Sequence, residues 1–212
     1  MKLYTYFRSS AAYRLRIALA LKGIAYEPAF VHLRKGEQQA AAYGALNAQH
    51  LVPTLIDGEH TLIQSMAMVE YLEEKHPEPP LLPDGAAARA RVRGLAQLIA
   101  CEIHPLNNLR VLKYLQNALG LPEETRDDWY RHWVAEGFAP LERLLADSRE
   151  TGRYCHGDTP GLADAFLVPQ VYNANRVACD LTAYPTISRI NEACLALPAF
   201  ADSAPDRQPD AE

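Results

Sequence analysis

A chain of 212 residues with 49% apolar side chains can bury one substantial core or two small ones. Its formal net charge of −5 excludes a broadly basic nucleic-acid surface, and Arg89, Arg91 and Arg93 read as an exposed helix face, so no nucleic-acid partner is expected. No apolar run reaches the roughly 20 residues that cross a bilayer, and no basic segment with an apolar signal core opens the chain; a cytoplasmic location without a membrane partner is the expectation.

In chain order, Lys2 to Tyr6 reads as a strand, Ser10 to Lys22 as a helix stopped by Gly23, and Tyr26 to Leu33 as a second strand, which together make a βαβ opening. A polar stretch from Glu37 to Leu46 reads as helical. Thr54-Leu55-Ile56 and His60-Thr61-Leu62-Ile63 then flank Asp57-Gly58, a hairpin signal, and Ser65 caps a helix through Glu74. Right-handed crossover and sequential pairing give a small mixed sheet with helices on its faces, the arrangement of a thioredoxin-like domain over residues 1–80.

Prolines at 77, 79, 80 and 83 mark a linker, and the rest, 86–212, reads as an all-helical domain. Val92, Leu95, Ile99 and Ile103 recur at helical spacing on a long first helix that Pro105 should kink. Trp129, Trp133, Phe138, Leu141, Leu144 and Leu145 suggest a second helix. A third starts near Gly161, with Asp164 placed to reach back to its first backbone N–H. Pro185 to Leu197 supplies a last helix, and Ala201 to Glu212 a polar tail. Cys101, Cys155, Cys179 and Cys194 are scattered without a C-x-x-C pair, so buried reduced thiols are expected; the seven histidines show no ligand spacing, and no metal site is expected.

The chemistry concentrates at Arg8-Ser9-Ser10, where a strand runs directly into a helix start. The unpaired N–H groups of a first turn, the positive end of the helix dipole and adjacent hydroxyls attract anions, and a thiolate bound there has its pKa lowered. Ordinary capping by Ser9 or Ser10 is the plainer alternative. Proline cannot donate to a ladder, so Val52-Pro53 ahead of the strand at Thr54 is either an edge position or a cis turn; a cis bond would turn the Val52 N–H and C=O outward to grip an extended peptide. Gln64-Ser65 offers a second helix start, suited to a carboxylate.

Tyr6-Phe7-Arg8-Ser9-Ser10, Arg14-Leu15-Arg16-Ile17-Ala18-Leu19, Leu51-Val52-Pro53-Thr54-Leu55, Gln64-Ser65, Leu162 to Gln170 and Pro205-Asp206-Arg207-Gln208-Pro209-Asp210 together resemble the zeta-class glutathione transferases, over nearly the whole chain. The resemblance implies a glutathione-transferase fold, with a thioredoxin-like N-terminal domain and an all-helical C-terminal domain, a homodimer, and glutathione as cofactor. By the same resemblance Ser9 and Ser10 hold the glutathione sulfur, Val52 before cis-Pro53 bonds the cysteinyl backbone, Gln64 and Ser65 hold the γ-glutamyl end, and Gln49 and His50 lie near the glycyl end. Ala11 stands where the family commonly has cysteine, which removes a protein thiol but leaves the hydroxyls and N–H groups.

The implied activity is glutathione-dependent cis–trans isomerisation of maleylacetoacetate to fumarylacetoacetate: a thiolate adds to the double bond, the resulting single bond rotates, and elimination regenerates the thiol. Maleylpyruvate is the close alternative substrate. Dehalogenation of α-halo acids, and a non-enzymatic binding module on the same fold, are the others. Serine without a basic partner is a poor nucleophile, so Ser9 and Ser10 are read as donors to the sulfur anion. The substrate carboxylates call for arginine, with Arg8, Arg110 and Arg176 as candidates. His104, Asn107 and Asn108 are read as one face of a helix, with Arg110 about 60° further round. His104 and Asn108 are assigned to glutathione and Arg110 to substrate. The stretch His104 to Arg110 and the arginine at 176 are similar to bacterial isomerases of this class.

Overall fold

The computed structural model describes residues 1–212 and divides into two compact units, Met1–Leu82 with Ala196–Glu212, and Pro83–Leu195. In the first unit β1 (Lys2–Thr5), α1 (Ser10–Leu21), β2 (Glu27–Phe30), α2 (Ala41–Leu46), β3 (Thr54–Asp57), β4 (His60–Ile63) and α3 (Ser65–Lys75) follow in order. The sheet runs β2-β1-β3-β4, with β1 parallel to β2 and antiparallel to β3, and β3 antiparallel to β4. Leu3 and Leu55 face each other on the central strands and are fully buried, with Leu15, Ile17 and Leu19 of α1 and Met68 and Leu72 of α3 completing the core. The Asp57–His60 pair closes the hairpin over Gly58, which takes the left-handed conformation that a tight turn asks of its residues.

Two elements are shorter than their sequence patterns. β2 is an edge strand whose only partner, β1, is itself four residues long, so pairing ends at Phe30 instead of Leu33. Glu37 to Leu46 is not one helix: a 3-10 turn at Glu37–Gln39 and α2 are separated by Ala40 in extended backbone. The proline segment is also tightly held. Lys22 at the end of α1 pairs with Glu73 at 2.7 Å and donates to the His76 and Pro79 carbonyls, while Glu73 accepts from Leu81 and Leu82 N–H.

The stretch Ala201–Glu212, expected as a polar tail of the helical domain, belongs with the first unit. The cause lies in α1. Tyr13 donates to the Phe200 carbonyl, and Arg16, fully buried, donates through Nε to the Ser203 carbonyl. Burial lowers the Arg16 guanidinium to about 10, which leaves it charged at neutral pH and in need of these acceptors.

The second unit contains α4 (Ala86–Gln97), α5 (Leu109–Asn117), α6 (Glu123–Ala146), α7 (Leu162–Arg176) and α8 (Pro185–Leu195). α7 is buried on nearly every side, its polar Asp164, Gln170 and Asn173 included, and packs on α4 and α8. Asp164 accepts from the Gly161 N–H at 2.8 Å, the reach-back expected from sequence, and from the Cys155 N–H at 2.8 Å. Arg91 is half-buried and donates to the Cys155 carbonyl, so the arginine cluster is not simply a solvated face.

The long first helix is interrupted ahead of Pro105. Leu98–Ile103 forms a π-helical turn, in which the His104 N–H reaches the Ile99 carbonyl, and a 3-10 turn follows at Pro105–Asn107. Proline in a continuous α-helix collides with the carbonyl four residues back, and the wider turn relieves this. Gly137 of α6 crosses the widened turn so closely that a Cβ there would sit 2.2 Å from Ile103 Cγ1, and Ile103 is fully buried. Gly137→Ala should therefore lower stability by about 1–3 kcal/mol, read as a lower urea midpoint at unchanged slope.

Candidate active site

Sheet register gathers the candidate residues of the first unit. Tyr4, Thr54 and Ile63 form one row across β1, β3 and β4. The chain leaves β1 just beyond that row toward Ser9, enters β3 from Val52-Pro53, and leaves β4 into Gln64-Ser65. All three segments thus emerge at one end of the sheet. Tyr6, Phe7, Val31, Tyr43 and Val52 form a buried apolar cluster beneath them, which fixes the first two segments against each other.

Ser9 is the N-cap of α1 and Ser10 its first residue. The Ser9 N–H donates to the Tyr6 carbonyl at 3.0 Å, and its hydroxyl oxygen accepts from the Ala12 N–H at 3.2 Å. Accepting leaves the hydroxyl proton free to donate. The Ala11 N–H, next in the first turn, takes no partner from the chain. Ser9 is half-buried and Ser10 is 5% exposed, so Ser9 is the more accessible hydroxyl. Arg8 is exposed, with its guanidinium carbon 5.1 Å from the Phe7 ring centre.

The Val52–Pro53 bond is cis. Around it, Tyr43 and Asn47 both donate to the Leu51 carbonyl, whereas the Val52 N–H and C=O take no partner from the chain. At β4, the cap of α3 is Gln64 and not Ser65, and Gln64 lies at φ 70°, a conformation unusual for a residue with a side chain. Its amide donates to Gln49 Oε1 at 2.8 Å, which joins two candidates. Ser65 is the first helical residue and accepts from Arg14 Nη1 at 3.2 Å, both side chains being buried. Arg14, a charged residue inside the largely apolar α1, is thereby set under Ser65. His50 bonds the Gln38 carbonyl through Nδ1 at 2.7 Å, and its ring fills the space over Gly44.

In the second unit the expected helix face at 104–110 does not form. His104 ends the π turn, Asn107 closes the 3-10 turn, and Asn108 caps α5 by accepting from the Arg110 N–H at 3.1 Å. The break at Pro105 rotates these residues out of α-helical phase. The turn is tied to α6, where Asn107 donates to the Tyr130 carbonyl and Trp129 to the Leu106 carbonyl, and α6 is tied to the end of α7 by Arg131, which donates to the Val177 carbonyl. Arg176 lies 5.7 Å from the Tyr130 ring centre, and burial pushes that phenol up to about 12 while the guanidinium opposes the rise. Arg176 and Arg110 are both exposed.

The glutathione S-transferase N-terminal domain model matches residues 1–74, and the glutathione S-transferase C-terminal domain model residues 124–201. A solved structure described as maleyl pyruvate isomerase, a bacterial glutathione S-transferase of the zeta class, superimposes with TM-score 0.98 at 50% identity, covering 100% of both chains. This chain belongs to the zeta class of the glutathione transferases. Another solved structure, maleylacetoacetate isomerase from Methylobacterium extorquens AM1 with bound malonate and glutathione, matches with TM-score 0.97 at 44% identity over 100% of both chains. A probable maleylacetoacetate isomerase of Vibrio cholerae is 51% identical over 211 residues, 99% of this chain and 97% of that one. The mixed four-stranded sheet and helical second unit are the glutathione-transferase fold. No helix is long and apolar enough to cross a membrane.

Proposed function

We propose that the protein is a glutathione-dependent cis–trans isomerase that converts maleylacetoacetate to fumarylacetoacetate. The observation that carries this reading is the convergence, at one sheet end, of the Ser9 helix start, the unpaired Val52 peptide groups and the Gln64-Ser65 helix start. A γ-linked tripeptide thiol asks for those three things: donors at an ionised sulfur, main-chain partners at its middle residue and an anion site at its γ-glutamyl carboxylate. Glutathione, when bound, supplies a thiolate whose reversible addition to the cis double bond lets that bond turn. Ser9 and the Ala11 N–H donate to the sulfur, with Ser10 beside them. Val52 pairs the cysteinyl peptide, Gln64 and Ser65 take the γ-glutamyl end, and Gln49 and His50 lie toward the glycyl end. His104 and Asn108 serve the tripeptide as well. Arg8, Arg110 and Arg176 pair the substrate carboxylates, where a planar guanidinium holds both oxygens and never loses its charge.

That a relative was solved with malonate and glutathione bound supports a small dicarboxylate as a ligand together with the tripeptide. A glutathione-dependent spectral change on maleylacetone is the expected result; no change with fully folded protein would contradict the reading. Maleylpyruvate run in parallel decides the substrate, and the slower turnover is expected for it. Arg176→Ala should raise KM about 10- to 100-fold, the loss of a charged hydrogen-bonded pair, while affinity for glutathione alone changes less than about twofold. Unchanged KM would remove Arg176 from the site. The reading includes a homodimer in the cytoplasm, supported by class membership and by four free thiols, and sedimentation at twice the chain mass is the expected check.

A further inference from the structure

The segment Pro205 to Asp210 is among the most family-like in the sequence, yet the site above makes no use of it. In the structure it returns to the sheet end that carries the sulfur site. Asp210 Oδ2 accepts the Phe7 N–H at 2.9 Å. The Phe7 carbonyl is held from the other side by Arg16 Nη2 at 3.2 Å, and Arg16 Nη1 reaches Thr5 Oγ1 at 3.2 Å. Arg16 is in turn anchored to the same terminal segment through the Ser203 carbonyl. The backbone N–H and C=O of Phe7, which lie in successive peptide groups, are therefore held by Asp210 and Arg16. Two residues on, the Ser9 N–H bonds back to Tyr6, so the turn that aims the Ser9 hydroxyl is built on a backbone that Asp210 and Arg16 hold.

We propose that Asp210 is a positioning residue for the sulfur site, acting through the Phe7 N–H to hold the Ser9 turn in register with the first turn of α1. The proposal rests on the reading of Ser9 as a donor to the glutathione sulfur. A hydrogen bond to a sulfur anion weakens steeply as its angle opens, so a loosened turn stabilises the thiolate less. Electrostatics alone predicts the opposite sign. A carboxylate in this neighbourhood repels a thiolate, and its removal would lower the thiol pKa. The sign of the shift thus separates positioning from charge.

The test compares Asp210→Ala and Asp210→Asn with the parent, each confirmed folded by circular dichroism, and Asp210→Ser, whose hydroxyl is too short to reach Phe7, serves if the alanine variant does not fold. The ultraviolet absorbance of bound glutathione is titrated against pH, and affinity is measured for S-methylglutathione, which has no thiol to ionise. With Asp210→Ala the bound thiol should titrate about one pH unit higher, equivalent to about tenfold less thiolate, with S-methylglutathione affinity within about twofold of the parent. Asp210→Asn, which keeps an acceptor oxygen for Phe7 and removes the charge, should titrate at or slightly below the parent. An unchanged or lowered thiol pKa in Asp210→Ala overturns the proposal, as does an equal rise in Asp210→Asn. A parent protein whose bound thiol titrates like the free peptide would instead remove the sulfur-site reading itself.

Discussion

Ser9→Ala should cut kcat near neutral pH by about 10- to 100-fold, the worth of one hydrogen bond to a charged sulfur at about 1.5–3 kcal/mol. Affinity for S-methylglutathione should barely move, because Val52, Gln64 and Ser65 hold the rest of the tripeptide. The loss should shrink as pH rises, since solvent then ionises the thiol that Ser9 no longer stabilises. Stability should fall by about 1 kcal/mol, because the same oxygen caps α1 by accepting from the Ala12 N–H. Ser10→Ala is the comparison: Ser10 is the first residue of α1 and is buried, while Ser9 is its N-cap, so a smaller kinetic effect is expected. Equal loss in the two variants would mean that both hydroxyls reach the sulfur. A pH-independent loss in Ser9→Ala would mean that Ser9 does something other than stabilise the thiolate.

Lys22→Met should destabilise the protein by about 3–5 kcal/mol, the cost of leaving one member of a buried ion pair uncompensated. The Lys22 side chain is 0% exposed and the Glu73 side chain 6%. Glu73 cannot simply turn to water, because its two oxygens also hold the Leu81 and Leu82 N–H groups, and Lys22 satisfies the His76 and Pro79 carbonyls. The variant removes the ammonium and strands both carbonyls together with the carboxylate. Glu73→Gln keeps an acceptor and removes the charge, so the double variant should recover part of the loss; urea midpoints of the four proteins give the coupling. A Lys22→Met protein within about 1 kcal/mol of the parent would show that water reaches this pair.

Local signals carried most of the first unit. The βαβ opening, the Asp57-Gly58 hairpin and the helix start at Ser9 depend on turn chemistry and alternation that lie within a few residues of one another, as does the helix start at Gly161 in the second unit. What escaped depended on partners distant in sequence. The terminal segment reads as polar and proline-broken, but buried Arg16 of α1 donates to its Ser203 carbonyl and Tyr13 to the Phe200 carbonyl just before it. Arg14 looks structural until α3 brings Ser65 against it. The polar face at 104–110 failed for a different reason: periodicity was extended through Pro105, where a π turn and a 3-10 turn replace the α-helix and set Asn108 to capping α5. Sequence periodicity names the residues of that stretch but not the backbone geometry that presents them.

Spectroscopic titration of glutathione bound to the unaltered protein bears most directly on the central claim, that the start of α1 keeps a bound sulfur ionised. The thiol should titrate at least about two units below the ordinary cysteine value of roughly 8.5, with the thiolate the main form near neutral pH. A bound thiol still protonated above that value would leave Ser9 and the helix start with no anion to hold, and would contradict the account.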